Sequence, residues 1–187
     1  MDPLLPYRTM AHNNAWANHR LLAACAGLTQ AEFTAPRTGF FPSLRATLNH
    51  NLIVDRFYLD ALQGGNLGRA AFADREPCGT LGELRAAQHA SDDRLIAWVA
   101  ALDAAGLARD TAVQRASHVA HERTERLLLH LFQHQIHHRG QAHAMLSATG
   151  VAPPQLDEFF CADEAPLRAA EFAERGWSEA AIWAERR

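Results

Sequence analysis

The chain has 187 residues and a formal charge of −3, and 48% of its residues are hydrophobic. This length fits one domain with a sizeable core, and the abundance of alanine and leucine over valine and isoleucine favours helices over sheets. No long basic run marks a nucleic-acid binder, and no stretch approaches the roughly 20 consecutive apolar residues of a membrane span.

Two of four long helices are predicted in the first third of the chain. The first runs from about Tyr7 to Leu28, directly after Pro6, a residue that suits a helix start. A turn-rich stretch follows it. The second begins at Ser43, a favourable N-cap, and runs to about Leu62, where two glycines stop it.

Two more long helices are predicted further along. Thr80 opens a capping-box sequence, so a third helix should follow it and end before Gly106. The stretch from Leu107 to Ser117 is ambiguous. The fourth helix should cover at least Glu122 to Ala148, and Asp163 to Arg187 should form one or two further helices broken near a glycine. Four long helices joined by loops indicate a bundle, and bundles commonly hold metals between facing helices.

The cysteines indicate the redox setting. Cys25, Cys78 and Cys161 are far apart and odd in number, so they form neither a CxxC site nor a disulfide framework. The N-terminus lacks the charged and apolar regions of a signal peptide. We therefore expect a protein of the reducing cytoplasm.

Histidine is unusually frequent, with eleven residues, and it clusters in the fourth predicted helix. Each residue of a helix turns by about 100°, so His138 lies about 40° to one side of His134 and His130 about 40° to the other. His137 and Gln141 fall on the same face. Either pair, His134 with His138 or His130 with His134, has a spacing that can direct two imidazoles at one metal ion.

A third imidazole is predicted from the second helix. His50 should face the bundle interior, because its neighbours at helical spacing are all apolar: Ala46, Ile53, Val54 and Phe57. Two histidines from one helix and one from another would form a three-histidine site with a coordination position open to water or substrate. The competing interpretation is that these are hydrogen-bonded core histidines. Five other histidines are interpreted individually as surface or cap residues: His12, His19, His89, His118 and His121.

Three segments resemble a known family. His134–Gln141, with the sequence HQIHHRGQ, resembles the HxxxHRGQ signature of the DinB superfamily. Thr47–His50, followed by Val54–Phe57, resembles that family's second-helix histidine segment, and Asn14–Asn18 (NAWAN) resembles its first-helix element. The order and spacing of the three segments agree over roughly the first 150 residues.

This resemblance implies an all-α fold, a four-helix bundle of DinB type with up-down-down-up topology. The bundle would occupy residues 1–150, and residues 151–187 would form a short C-terminal helical extension packed on it. Trp177 and Trp183 are expected to help that packing. Family members are commonly dimeric, so a homodimer is expected, without nucleic-acid or membrane partners.

The resemblance also implies a metal site. It maps the ligands of one divalent transition metal, zinc or nickel above all, onto His50, His134 and His138. It thereby selects the pair His134 and His138 over the pair His130 and His134. Gln141 and His130 are then candidates for supporting contacts behind the ligands.

The rest of the signature supports two structural expectations. Gly140 costs about 1 kcal/mol in a helix interior, which predicts that another helix approaches it closely. Arg139 is expected to form an ordinary salt bridge.

Two functions remain open. An open three-histidine metal site can generate a thiolate or hydroxide nucleophile. Some relatives implied by the resemblance are thiol-dependent transferases or isomerases, so the protein would act on a small-molecule substrate with a low-molecular-weight thiol cosubstrate. Asp55, Arg56 and Gln141 are candidate accessory groups. The alternative is a non-catalytic metal-binding stress-response protein, favoured by the lack of an obvious general base beyond the histidines.

Overall fold

The four long helices predicted from the sequence are present, with shorter elements between and after them. A computed structural model of the protein describes residues 2–185. The elements in chain order are α1 (Leu5–Cys25), α2 (Gln30–Thr34), α3 (Leu44–Leu62), a 3-10 helix (Gly68–Phe72), α4 (Leu81–Ala100), α5 (Ala104–Ala108), β1 (Asp110–Gln114), β2 (Val119–Arg123), α6 (Thr124–Leu146), a second 3-10 helix (Ala162–Glu164), α7 (Ala165–Arg175) and α8 (Glu179–Ile182).

Each long helix packs against two others. α1 contacts α4 and α6, and α3 contacts the same two helices. A large apolar cluster joins all four, with Ala11 of α1, Leu62 of α3, Val99 of α4 and Leu128 of α6 at most 1% exposed. Full burial of one such leucine contributes roughly 1.5–3 kcal/mol. In residues 2–185 no helix has the length and apolar character needed to cross a membrane.

Two predicted helix starts are confirmed at the level of single hydrogen bonds. The Thr80 hydroxyl accepts from the backbone N–H of Glu83 at 3.2 Å, and the Glu83 carboxylate accepts from the backbone of Thr80 at 2.9 Å. The Ser43 hydroxyl accepts from the N–H of Ala46 at 3.1 Å. These caps satisfy donors that the first turn of a helix leaves unpaired.

A β-hairpin occupies part of the ambiguous stretch and corrects the predicted start of the fourth helix. Glu122 and Arg123 belong to β2, and α6 begins at Thr124. β1 and β2 are antiparallel, with Ala112 opposite His121 at the centre of the register. The helix also ends at Leu146, two residues before the predicted end.

The C-terminal segment packs mainly on α1. Arg20 forms ion pairs with Glu158 at 2.7 Å and Glu171 at 2.6 Å, and the ring of Trp16 lies 5.7 Å from that of Phe159. As predicted, the helices of this segment break at Gly176, which has a left-handed φ of 65°. The last two residues of the predicted tail lie outside the described residues.

The two tryptophans of this segment differ in their contacts. Trp177 meets His12 of α1 edge-on at 5.1 Å. Trp183 packs against Phe159 and Phe160 within the segment itself, at 6.3 and 5.9 Å. Of the two, Trp177 is therefore the one with a ring contact to a long helix.

Candidate metal centre

Three histidines from two helices converge at one point. His50 of α3 and His134 and His138 of α6 each offer a ring nitrogen, and these nitrogens all lie within 4.8 Å of one another. The Nε2 atoms of His50 and His134 are 3.1 Å apart. With zinc–nitrogen bonds of about 2.0–2.1 Å, nitrogens around a tetrahedral ion lie roughly 3.3 Å apart. The spacing and the donor set therefore fit a divalent transition metal.

A glutamine fixes the orientation of one imidazole. The side-chain oxygen of Gln141 lies 2.7 Å from Nδ1 of His138 and accepts a hydrogen bond from it. The proton on Nδ1 leaves Nε2 of His138 with a free lone pair. The amide nitrogen of Gln141 lies 3.1 Å from Nε2 of His137. Gln141 thus stands where a contact behind the ligands was expected, and it links two histidines of the predicted stripe.

The local environment keeps these imidazoles neutral. Burial, with smaller contributions from the neighbouring imidazoles, lowers the pKa of His134 to about 3. Burial and then the proximity of His138 lower the pKa of His50 to about 4. Burial also lowers the pKa of His138, although the hydrogen bond to Gln141 acts in the opposite direction. Neutral imidazole is the form that binds a metal, so no proton has to be displaced near pH 7.

One polar atom at the site lacks a partner. Nδ1 of His134 is buried and makes no hydrogen bond. Such an atom is costly in an ordinary core, where polar groups are nearly always paired. A metal held at Nε2, the atom that faces His50, would leave this nitrogen unpaired as well, so the atom does not favour a metal ligand over a core histidine.

His130 lies apart from the group. Its ring is 5.2 Å from that of Tyr58 and 6.3 Å from that of His134. In the part of the chain that the structure describes, the three-nitrogen group contains His50, His134 and His138 and leaves His130 out. His130 instead lines a cavity beside the group.

Two aromatic residues that the sequence analysis missed cover the histidines. The ring of Phe41 lies 4.4 Å from that of His50 and 5.5 Å from that of His138. The ring of Phe40, which is 77% exposed, lies 6.3 Å from that of His138. Both precede α3 in a turn-rich loop, where helical periodicity gives no signal. Only the presence of two adjacent aromatics in such a loop could have drawn attention to them.

Arg139 corrects a prediction, because it does not form an ordinary salt bridge. It is 4% exposed, and its guanidinium donates to the side-chain oxygens of Asn14 and of Asn18, the latter at 3.1 Å. Both asparagines belong to the NAWAN element of α1. The amide of Asn18 also donates to Asp92 of α4 at 3.0 Å. The motifs of α1 and α6 are therefore two halves of one buried contact.

Asp55 extends this polar network and does not face the site. Its carboxylate accepts from Gln88 and Gln135, each at 2.6 Å. Burial and the nearby Asp92 raise the pKa of Asp55. Neither Asp55 nor Arg56 lines the two cavities that adjoin the histidines, so the structure does not bring these two candidate accessory groups to the site.

Gly140 corrects a second prediction. A Cβ added at this position would meet nothing within 4 Å, and the residue is exposed. No other helix approaches it closely. Its helix-propensity cost is therefore not explained by packing within the chain.

Two cavities meet at His50. One of about 310 Å³ is lined by His50, His130 and His134, and one of about 580 Å³ is lined by His50 and Phe41. Both volumes are in the range of small-molecule sites. His50 lines both cavities and His134 lines the smaller one, so a small molecule in either cavity can contact His50.

Comparison with known families assigns the chain. The model of the DinB family matches residues 2–176. The match includes α7 as well as the four long helices, and so extends beyond the 150 residues over which the sequence motifs agree. A search of curated proteins gave no significant match.

Proposed function

The chain belongs to the DinB family, and on this basis we propose that it binds one divalent transition-metal ion through His50, His134 and His138, with a coordination position left open. The convergence of the three ring nitrogens is the observation that carries the proposal. Zinc and nickel both suit three neutral imidazoles.

The side chains around the site prepare it for such an ion. Gln141 holds His138 in the tautomer that presents Nε2, and burial keeps His134 neutral. Phe41 covers His50 and His138 and limits the access of water. When bound, a metal with an open position acts as a Lewis acid and lowers the pKa of a thiol or water that it holds.

We propose further that the protein is a thiol-dependent transferase or isomerase. Two cavities at one histidine offer space for two reactants, a low-molecular-weight thiol and an electrophile. No cysteine of residues 2–185 lines either cavity, so the sulfur would come from the thiol cosubstrate. In a transfer, this sulfur forms a bond to an electrophilic carbon. The leaving group departs with the bonding electrons, and the thiol proton is released to solvent.

A non-catalytic metal-binding role in a stress response is the second candidate. Its support is that, among the described residues, no carboxylate lines the 310 Å³ cavity beside the histidines, so imidazoles and the Tyr58 hydroxyl are the groups on its walls that could act as a general base. A metal that only holds the fold would have no open position. Spectra of cobalt-substituted protein distinguish the two roles, because an added thiol changes the spectrum only where a position is open.

The metal site is tested by elemental analysis of protein purified without a histidine tag. We expect about one metal ion per chain in wild type and its loss in His134→Ala. His121→Ala, in which an exposed histidine of β2 is removed, should keep the metal. Wild type without near-stoichiometric metal, and unable to take it up, would refute the site. Metal-loaded protein inactive against a broad panel of thiols and electrophiles would refute the transferase proposal alone.

A further inference from the structure

The 310 Å³ cavity has an apolar wall and a cationic rim. Val54 and Phe57 of α3 and Phe72 of the first 3-10 helix supply the apolar wall. Arg69 of the same 3-10 helix and Arg115 of the hairpin turn supply the charges. The cavity thus joins an apolar surface to a site for negative charge.

The two arginines lack acidic partners. The side chain of Arg69 makes no hydrogen bond or ion pair to any residue between 2 and 185. The guanidinium of Arg115 lies 5.8 Å from the ring centre of Tyr58 and donates to its hydroxyl at 3.5 Å, and neither contact neutralises the charge. Although the chain as a whole carries a charge of −3, no carboxylate lines this cavity. Uncompensated positive charge at a concave apolar site attracts and selects an anion.

The segments that carry the arginines are fixed against each other. Gly68 precedes Arg69 and has a φ of 49°, a conformation that favours glycine. A Cβ at this position would lie 2.8 Å from the Cβ of Gln114, the last residue of β1. The backbone N–H of Arg115 donates to His118 at 2.9 Å and closes the hairpin turn. Arg69 and Arg115 thus project from two segments in close contact.

A continuous wall leads from the arginines to the metal-binding histidines. Arg115 contacts Tyr58, whose ring is 5.2 Å from that of His130, and the ring of His130 is 6.3 Å from that of His134. An elongated molecule can therefore place one end at the guanidinium groups while its other end approaches His134.

We propose that this cavity binds a small organic anion, a carboxylate on an aromatic or apolar body, as the substrate of the metal site. The carboxylate is held by Arg69 and Arg115, and the body lies against Phe57 and Phe72. The proposal rests on the proposed function, since it assigns the cavity to the substrate of that site. Arginine suits this role because its planar guanidinium pairs with a carboxylate through two parallel hydrogen bonds.

Calorimetric titration with a matched pair of probes tests the assignment. The probes are 3-phenylpropionate and its uncharged amide, 3-phenylpropionamide. We expect the carboxylate to bind at least about ten-fold more tightly, since hydrogen bonds between a guanidinium and a carboxylate are stronger than those to a neutral amide. Arg69→Gln and Arg115→Gln should each remove most of this preference. Arg126→Gln should keep it, because Arg126 is 73% exposed and lies outside the cavity lining.

Zinc-loaded and metal-free samples separate this inference from the metal site. A preference for the carboxylate that persists without metal and is lost in the arginine variants supports the inference. Three results overturn it: no binding of either probe, equal affinities for both, or carboxylate binding that needs the metal but survives Arg115→Gln. The last result would mean that the carboxylate ligates the metal. Protein that cannot take up zinc but still prefers the carboxylate refutes only the proposed function.

Discussion

The side chain of Gln141 decides which nitrogen of His138 is free. Because its oxygen accepts from Nδ1, the ring presents Nε2 to the point where His50 and His134 also converge. Without this contact the ring would lose both its orientation and its tautomer. A partner of this kind commonly affects metal affinity by 10–100-fold.

We therefore expect Gln141→Ala to weaken zinc binding by roughly 10–100-fold, as measured by competition with a coloured chelator. Gln141→Glu should retain most of the affinity, because a carboxylate also accepts from Nδ1. Gln133→Ala is the matched control, since Gln133 is exposed on the same helix. Unchanged affinity in Gln141→Ala would show that the hydrogen bond does not prepare the ligand.

The lowered pKa values predict how the metal-free protein responds to acid. The unfolded chain takes up protons at its histidines near pH 6.5, whereas folded His50 and His134 do so only near pH 4 and pH 3. The folded state therefore binds fewer protons between these values, and the free energy of unfolding should fall as the pH falls from about 6.5 toward 4.

Urea denaturation from pH 7.5 to 4.5 measures this fall. Over this pH range, the free energy of unfolding should fall by about 1–2 kcal/mol less in His134→Ala than in wild type. This difference is smaller than the full pKa shift would give, because the ring is partly solvated. Comparing the two proteins cancels the opposite contribution of Asp55 and Asp92, whose pKa values are raised. Equal losses in wild type and His134→Ala would contradict the neutral state assigned to this ring.

Gly140 offers a test of its open surroundings. Because φ is not positive there and an added Cβ would meet nothing, Gly140→Ala should stabilise the protein by about 0.5–1 kcal/mol in thermal or urea unfolding. Gly68→Ala should instead destabilise it by about 1–2 kcal/mol, because Gly68 has a left-handed φ and a close neighbour. Gly140 also lines the cavity beside Ile136, so the unfolding is measured at concentrations where the protein is monomeric, and destabilisation there would contradict the open surroundings.

Helical spacing alone predicted the histidine stripe but could not choose the ligand pair. His130 and His138 lie at equal angles to either side of His134, so the periodicity treats them alike. The choice depends on which turn of α6 lies opposite His50. That is set by how α3 packs on α6, and His50 and His134 are 84 residues apart in the sequence. The resemblance of the HRGQ segment supplied what local geometry lacked.

At the scale of elements, the long helices are joined by a buried polar network. Arg139 of α6 bonds to Asn14 and Asn18 of α1, and Asn18 bonds to Asp92 of α4. Burial lowers the pKa of Arg139, while the nearby aspartates act in the opposite direction. This arrangement places the residue next to His138 in a fixed position and so orients the turn of α6 that carries His134 and His138.

Arg139→Met should therefore destabilise the metal-free protein by about 3 kcal/mol or more, measured by urea denaturation. The variant leaves the oxygens of Asn14 and Asn18 without their donor and removes the cation beside Asp92. Arg126→Met on the exposed face of the same helix should change stability by less than about 0.5 kcal/mol. Similar effects of the two substitutions would show that the network contributes no more than a surface charge.

Capping chemistry made the starts of α3 and α4 predictable, whereas the hairpin and the network were not. The hairpin strands have five residues each, and Thr111 and Val113 of β1 are the inward-facing pair, too few for a clear alternation. Arg139 was expected in a salt bridge because nothing near it in sequence shows its burial. Its partners come from α1, more than 120 residues away.

At the scale of the whole molecule, two faces of α6 differ in what they present. One presents His134 and His138 to α3, and another leaves Leu129 and Ile136 exposed by 56% and 47%. These two residues are seven apart, which is about two turns, so they share a face. A cavity of about 460 Å³ adjoins this face and is lined by Ile136, Gly140 and the 45% exposed Phe160. Apolar side chains grouped in this way are typical of a surface that another protein covers.

We expect this face to form a homodimer, in which the same patch of two copies meets about a two-fold axis. Analytical ultracentrifugation over a range of protein concentrations should find a dimer for wild type and a monomer for Ile136→Glu, since a buried carboxylate opposes association. Leu167→Glu is the control, because Leu167 is 54% exposed on α7 and lies outside the patch. Ile136→Glu should keep its metal, because Ile136 is not part of the three-histidine group. A wild type that is monomeric throughout, or a dimer dissociated by Leu167→Glu and not by Ile136→Glu, would exclude this interface.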